Sequence, residues 1–145
     1  SLKKGQDIMP IVSTLIGAVA AYALGVLWYM LLSGPWMKAA KLTRDDIGGG
    51  SSGGMGAGMM ITYGATFIMW LVASFVLQTH LLPLVDSAGV NPFRAVVGMW
   101  LTFGLLSTVL STLYGMRGGN LIWIDGGYIL CGSLLITAAY TFIGR

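Results

Sequence analysis

The side chains that could carry chemistry are few, and they lie near the ends of apolar segments. Arg117 and Asp125 flank a short turn, residues 118–120. They could form an ion pair or a helix cap, or, with Lys38 and Trp36, a polar site at one mouth of a bundle. The sequence contains no nucleophile with a neighbouring base, no GxSxG or HExxH motif and no phosphate-binding loop. It therefore predicts no catalytic residue and disfavours an enzyme working at the Arg117 and Asp125 mouth.

His80 is the only histidine of the chain and falls near the end of a predicted helix. It could ligate a haem or pigment or respond to pH. A lone histidine without a second ligand is more often bonded to water or to a carbonyl, so His80 is the one candidate for cofactor binding and no cofactor is predicted. Cys131 has no Cys or His at metal-ligand spacing, and no metal site is predicted.

The composition indicates a chain that is surrounded mainly by lipid. Apolar residues make up 56% of the sequence and charged residues 9%, whereas an ordinary soluble domain is about a quarter charged. The net charge is +3, but the basic residues stand singly or in pairs between apolar segments, so nucleic acid is not a predicted partner. Membrane lipids are the expected surroundings, and a bound lipid is expected.

Uncharged windows of spanning length predict the elements that must position these side chains. Crossing ~30 Å of hydrocarbon takes about 20 helical residues, and four helices are predicted at about 10–32, 57–82, 95–116 and 123–144. Pro10 suits a first helical turn, and Ser33-Gly34-Pro35 is expected to end the first helix. A flexible Gly/Ser-rich loop is predicted at about 48–56.

The predicted fold is an all-α integral membrane four-helix bundle, a single domain over residues 1–145 with both termini on the same side. Lys and Arg are divided equally between the two sides, so the positive-inside rule gives little orientation. The pair Lys3-Lys4 and the flexible loop favour cytoplasmic termini.

Small and hydroxyl-bearing residues repeat at helical spacing and predict helix-packing faces. In lipid, helices associate through close backbone approach and interhelical hydrogen bonds. The predicted packing residues are Gly17, Ala21, Gly25, Ser107, Ser111, Ser133 and Thr137. A similar stripe, Thr62, Thr66, Ser74 and Gln78, lies on the second helix. These hydroxyls could instead line a polar conduit or bond to carbonyls of their own helix.

Most aromatic residues are predicted to be anchors at the membrane interface, where amphipathic rings settle. Trp28, Tyr29, Trp36 and Trp100 lie near predicted helix ends. Trp70 is different because it lies in the middle of a helix. Its indole N–H is expected to find a partner on a neighbouring helix.

Two parts of the chain resemble a known family of small membrane proteins, domain of unknown function number 1761. The first combines Gly25-Val26-Leu27-Trp28-Tyr29 with Gly34-Pro35-Trp36-Met37, and the second is Ile124-Asp125-Gly126-Gly127-Tyr128. The resemblance implies a four-helix membrane protein without an assigned activity. Ile129 stands where the family often has His, so any use of that histidine does not carry over.

Together these features favour a non-enzymatic bundle that acts by packing. It would be a homo-oligomer or an accessory subunit of a larger membrane complex, with itself or other membrane proteins as partners. The alternative is a small transporter or channel for a small solute, with the hydroxyl stripes lining its path.

Overall fold

The computed structural model describes residues 2–43 and 57–144, and side chains over residues 9–43 and 60–144. The described part of the chain forms four helical segments and contains no strand. It is an all-α four-helix bundle, as predicted. The loop predicted at 48–56 lies outside the described residues.

The first helix, α1, runs over Leu2–Ala40 and is longer at both ends than the predicted 10–32. Pro10 and Pro35 lie inside it, so neither a first-turn Pro10 nor a stop at residues 33–35 is found. Proline is tolerated in a spanning helix when neighbouring groups support the interrupted backbone. Beyond Pro35 the buried Ala39 and Ala40 pack with Leu121, and these contacts stabilise the additional turn.

The other three helices each contain a π-helical turn. The second, α2, comprises Ala57–Val76, a π turn at Leu77–Leu81 and Leu82–Ser87. The third, α3, comprises Pro92–Met99, a π turn at Trp100–Gly104 and Leu105–Tyr114. The fourth, α4, comprises Asn120–Ala139 and a π turn at Tyr140–Gly144. Helix α4 therefore begins before the predicted residue 123.

Residues in the left-handed region end two of these helices. Lys41 has φ of 57° and Met116 has φ of 51°. In each case the following amide reaches back to an unpaired carbonyl, since Leu42 N–H donates to Met37 O at 3.0 Å and Arg117 N–H donates to Thr112 O at 3.0 Å. This pattern satisfies carbonyls that the end of a helix leaves free.

Helix α4 is the central helix of the bundle. It packs most extensively against α1, and α3 also packs on it, while α2 packs mainly against α1. At one end of the bundle Gly118 N–H donates to Ala39 O at 2.7 Å, which joins the start of α4 to the end of α1. At the other end Gly144 lies against Ser13. Helices α1 and α4 therefore run antiparallel.

Glycines allow α1 and α4 to approach their neighbours closely. A Cβ at Gly25 would overlap the Tyr128 side chain, and one at Gly132 would overlap Trp70. Gly17 is also crowded, because a Cβ there would lie 2.7 Å from Gln78 Nε2 and 2.9 Å from Ser74 Oγ. Gly17, Ala21 and Gly25, the face predicted for packing on α1, are all buried.

All four helices are long and apolar enough to cross a membrane: Met9–Ala40, Met60–Ser87, Pro92–Tyr114 and Asn120–Gly144. Large apolar side chains such as Leu31, Phe103 and Phe142 are exposed on their outer surfaces. A soluble protein rarely exposes so much contiguous apolar surface. Length and composition thus indicate a multi-pass membrane protein.

We predict that replacing Gly25 by Ala destabilises the bundle, while the same change at Gly98 does not. The Gly25→Ala variant should lose about 1 to 3 kcal/mol of unfolding free energy, because its methyl group displaces Tyr128 from its contacts. Gly98 has open space around it, so Gly98→Ala should be neutral or stabilising by up to ~1 kcal/mol. Helical circular dichroism during thermal unfolding in mild detergent measures both. Equal melting temperatures for the two variants would contradict the prediction.

Candidate functional site

The carboxylate of Asp125 is bound by two side chains of α1. Its Oδ1 atom accepts a hydrogen bond from the Tyr29 hydroxyl at 2.7 Å and one from the Trp36 indole N–H at 3.1 Å. Tyr29 and Trp36 are two helical turns apart, so they project from the same face of α1. Their rings are in edge-to-face contact at 6.0 Å. One face of α1 thus supplies both donors.

Indole groups of two different helices bind the α4 backbone on either side of Asp125. Trp28 of α1 donates to Ile124 O at 2.9 Å, and Trp100 of α3 donates to Gly126 O at 2.8 Å. A helical carbonyl can accept this second bond because it has two lone pairs. Gly127 lies against the Trp28 ring, and a Cβ there would come within 3.2 Å of it. Small residues after Asp125 therefore let the indoles reach the backbone.

Tyr128 extends this network to α2 and back to α1. Its hydroxyl accepts a hydrogen bond from the Trp70 indole N–H and donates to Ala21 O at 3.4 Å. The Tyr128 ring is in edge-to-face contact with Trp70 and with Tyr29, each at 5.3 Å. We call the whole set the Asp125 cluster: Trp28, Tyr29, Trp36, Trp70, Trp100, Asp125 and Tyr128. It links all four helices.

The geometry of the Asp125 cluster is better suited to holding helices together than to catalysing a reaction. A carboxylate inside a membrane-spanning segment is costly unless it is hydrogen-bonded, and the two donors on Oδ1 reduce that cost. The cluster contains no serine, cysteine, histidine or lysine that could act as nucleophile or base with Asp125. No group of three or more metal-ligating side chains occurs within the described residues.

The structure separates Asp125 from several of its predicted partners. Asp125 is the sixth residue of α4, which begins at Asn120, so it does not cap that helix. Arg117 is exposed, and the hydrogen bonds found on the carboxylate come from Tyr29 and Trp36. Lys38 is also exposed and lines a shallow pocket with residues 118–120. Of Arg117, Lys38 and Trp36, only Trp36 donates a hydrogen bond to Asp125.

Four of the aromatic residues predicted as interfacial anchors donate hydrogen bonds to α4. They are Trp28, Tyr29, Trp36 and Trp100. Exposed aromatics remain on other surfaces, including Trp123, which is 70% exposed. The expectation that Trp70 finds a partner on a neighbouring helix is confirmed by its bond to Tyr128.

His80 lies on the surface, away from the Asp125 cluster. It is exposed, its Nδ1 atom is 2.6 Å from the Thr79 hydroxyl, and its ring contacts the Phe75 ring at 5.9 Å. The structure therefore groups His80 with neighbours on its own helix.

The hydroxyl stripes have different environments from helix to helix. Ser107 and Ser111 are exposed, and the buried hydroxyls of α3 are those of Thr108 and Thr112. Ser107 and Ser111 have the same four-residue spacing as Thr108 and Thr112, so the sequence repeat does not indicate which of the two pairs faces inward. On α4 the buried Thr137 donates to Ser133 O at 2.8 Å, so this pair is bonded within its own helix.

Sequence reasoning missed Ser13 and Thr14, which are buried and contact α2. Ser13 O accepts a hydrogen bond from Gln78 at 3.0 Å, and Thr14 O accepts one from Ser74 at 2.8 Å. Ser74 and Gln78 were recognised as a polar stripe, but their partners were not. The available signal was an adjacent Ser-Thr pair inside an otherwise apolar run.

The chain matches a known protein family. A family model described as Protein of unknown function (DUF1761) matches residues 12–141, a range that includes every member of the Asp125 cluster. No curated protein and no solved structure matches the chain.

We predict strong coupling between Asp125 and Tyr29. Asp125→Ala should lower the unfolding free energy by about 2 to 3 kcal/mol, because two half-buried donors, Tyr29 and Trp36, lose their acceptor. Tyr29→Phe should lower it by about 1 to 2 kcal/mol, since it removes one bond to a charged group. The double variant should be less destabilised than the sum, by about 1 kcal/mol or more.

Unfolding in mixed micelles containing a denaturing detergent measures this cycle. Tyr114→Phe is the matched control, because Tyr114 is 84% exposed, and it should leave stability unchanged. Strict additivity of the Asp125 and Tyr29 changes would show that the bond between them contributes little.

Proposed function

The chain belongs to the family Protein of unknown function (DUF1761), and on this premise we propose that it is a non-enzymatic membrane protein that acts by packing. It would be a homo-oligomer or an accessory subunit of a larger membrane complex. One observation carries the proposal. The polar groups of the Asp125 cluster are bonded to one another or to the backbone, across helix interfaces, so they stabilise the bundle.

The outer surface supports the same proposal. Apolar side chains cover most of it, and such a surface can contact lipids or other membrane helices. Ser107 and Ser111 are both exposed and lie one turn apart on α3. Small and hydroxyl-bearing residues favour close helix contact in lipid. We propose that this α3 face contacts the partner helix.

The alternative, a transporter or channel for a small solute, receives less support from the hydroxyl groups. Many of them donate to carbonyls of their own helix, as threonine commonly does inside a helix. These are Thr66, Thr79, Thr102, Thr108, Thr137 and Thr141. A hydroxyl that donates its hydrogen bond to the backbone in this way can only accept a hydrogen bond from a solute.

We further propose that both termini lie in the cytoplasm, with membrane lipids around the bundle. The support is the pair Lys3-Lys4 close to the first spanning segment. Accessibility of a short tag at either end to protease in sealed, oriented vesicles tests this placement.

We predict that the protein extracted in mild detergent is larger than its 15.3 kDa monomer. Light scattering coupled to size exclusion gives the protein mass without the detergent. Ser107→Leu combined with Ser111→Leu should shift the protein toward the monomer, because two branched side chains hold the partner helix away. Ala65→Leu with Met69→Leu places the same side chains one turn apart on the exposed face of α2 and should leave the mass unchanged.

A wild-type protein that is strictly monomeric over a wide range of detergent and protein concentrations, with no co-purifying subunit, would overturn the packing proposal. An assembly that persists in the double serine variant would instead place the contact on another face.

A further inference from the structure

The pocket beside Lys38 lies at the end of the bundle where α1 ends and α4 begins. We call it the Lys38 pocket. It has a volume of about 550 Å³ and is open on one side, and proteins bind small molecules in pockets of roughly 300 to 1,000 Å³. The pocket therefore has room for a group the size of a phosphate ester. It is lined by Gly34, Pro35, Lys38 and Ala39 of α1 and by residues 118–120.

Glycines on both walls leave the Lys38 pocket unfilled. A Cβ at Gly34 or at Gly119 would meet no atom within 4 Å. The two walls are nevertheless joined, because Gly118 N–H donates to Ala39 O at 2.7 Å. The backbones of α1 and α4 are thus held in place here, while no side chain of the described residues occupies the space between them.

The groups that line the Lys38 pocket are hydrogen-bond donors with a positive charge. Lys38 is exposed and has no ion pair or hydrogen bond within the described part of the chain. The backbone N–H groups of Gly119 and Asn120 also lack an acceptor there, whereas the next two amides of α4 are bonded. No carboxylate lines the pocket. A phosphate group supplies the negative charge and the acceptor oxygens that these donors lack.

The Lys38 pocket lies at the level of the lipid headgroups. The spanning segment of α1 ends at Ala40, and that of α4 begins at Asn120. Tyr114 and Trp123, which are exposed at the same end of the bundle, are of the residue types that settle at the membrane interface. Leu31, one turn before Pro35, is 82% exposed and offers an apolar surface to an acyl chain.

We propose that the Lys38 pocket binds the phosphate of an anionic membrane lipid. Lys38 offsets the charge of the phosphate, and the N–H groups of Gly119 and Asn120 donate to its oxygens. The open side of the pocket lets the acyl chains remain in the hydrocarbon. A soluble phosphate has the same binding chemistry, but the lipid is favoured because the spanning helices hold the pocket at the headgroup layer. The proposal does not depend on the packing function.

Filling the pocket tests the proposal. A ligand of the native state raises the melting temperature, so phosphatidylglycerol added in mild detergent should raise that of the wild type by a few degrees. Phosphatidylcholine with the same acyl chains should raise it less. Gly119→Leu fills the pocket and should lose most of the difference. Gly119 has φ of −57°, which any residue adopts, so this variant should fold.

Gly64→Leu is the matched control, because it places the same side chain at another open position, on α2. It should retain the full difference between the two lipids. If Gly119→Leu also retains it, the lipid binds elsewhere and the proposal is overturned.

A charge substitution tests the same site without filling it. Lys38→Gln removes the positive charge and should lose most of the shift caused by phosphatidylglycerol. Lys41→Gln removes an exposed basic residue from the same end of α1 that does not line the pocket, and it should retain most of the shift. Equal losses in the two variants would indicate a general attraction between charges and would overturn a specific site.

Inorganic phosphate, added at the same concentration without lipid, tests the source of the phosphate. A lipid ligand predicts no shift, because its acyl chains contribute to binding. A shift as large as that with phosphatidylglycerol, lost in Gly119→Leu, would identify a soluble anion and overturn the assignment to a lipid. Equal melting temperatures of the wild type in the two lipids would overturn the proposal as well.

Discussion

The Asp125 carboxylate imposes the constraint on which the rest of this bundle depends. It lies one and a half turns inside α4, a helix long and apolar enough to span a membrane, where a carboxylate without hydrogen-bond donors would be unfavourable. Its two donors come from α1, so α1 must remain helical past Pro35 to bring Trp36 to the carboxylate. The length of α1, the position of α4 and the burial of Ala39 and Ala40 all agree with this requirement.

Close helix contact is the second condition for the Asp125 cluster. Indole and phenol groups can reach the backbone of a neighbouring helix only where that backbone carries small residues. Gly25 gives room to Tyr128, Gly132 gives room to Trp70, and Gly127 lies against Trp28. In lipid, where apolar burial contributes little to helix association, such contacts and hydrogen bonds are the main attractive terms. The glycines and the aromatic residues therefore act as one unit.

Hydrogen bonds between helices occur in two parts of the bundle. In the Asp125 cluster the aromatic donors all have acceptors, and the bonds cross helix interfaces, which is what a structural connection requires. Nearer the start of α1, Gln78 and Ser74 of α2 donate to the backbone of Ser13 and Thr14. The packing role that we propose rests on the Asp125 cluster.

Composition and periodicity determined the class of this protein. Long uncharged windows leave few alternatives to spanning helices, because backbone groups in hydrocarbon must be satisfied within the segment. The same reasoning indicated that Gly17, Ala21 and Gly25 form one face, and the motif containing Asp125 was recognisable from its residues. Only the tertiary structure decided which groups meet. Trp28, Tyr29 and Trp36 are of the residue types that anchor helices at the membrane interface. The rotation of α1 against α4 turns them toward Asp125 and its neighbours in the chain. Helix rotation also decides that Thr108 and Thr112, rather than Ser107 and Ser111, face the interior. Contacts between side chains that are far apart in the sequence determine that rotation.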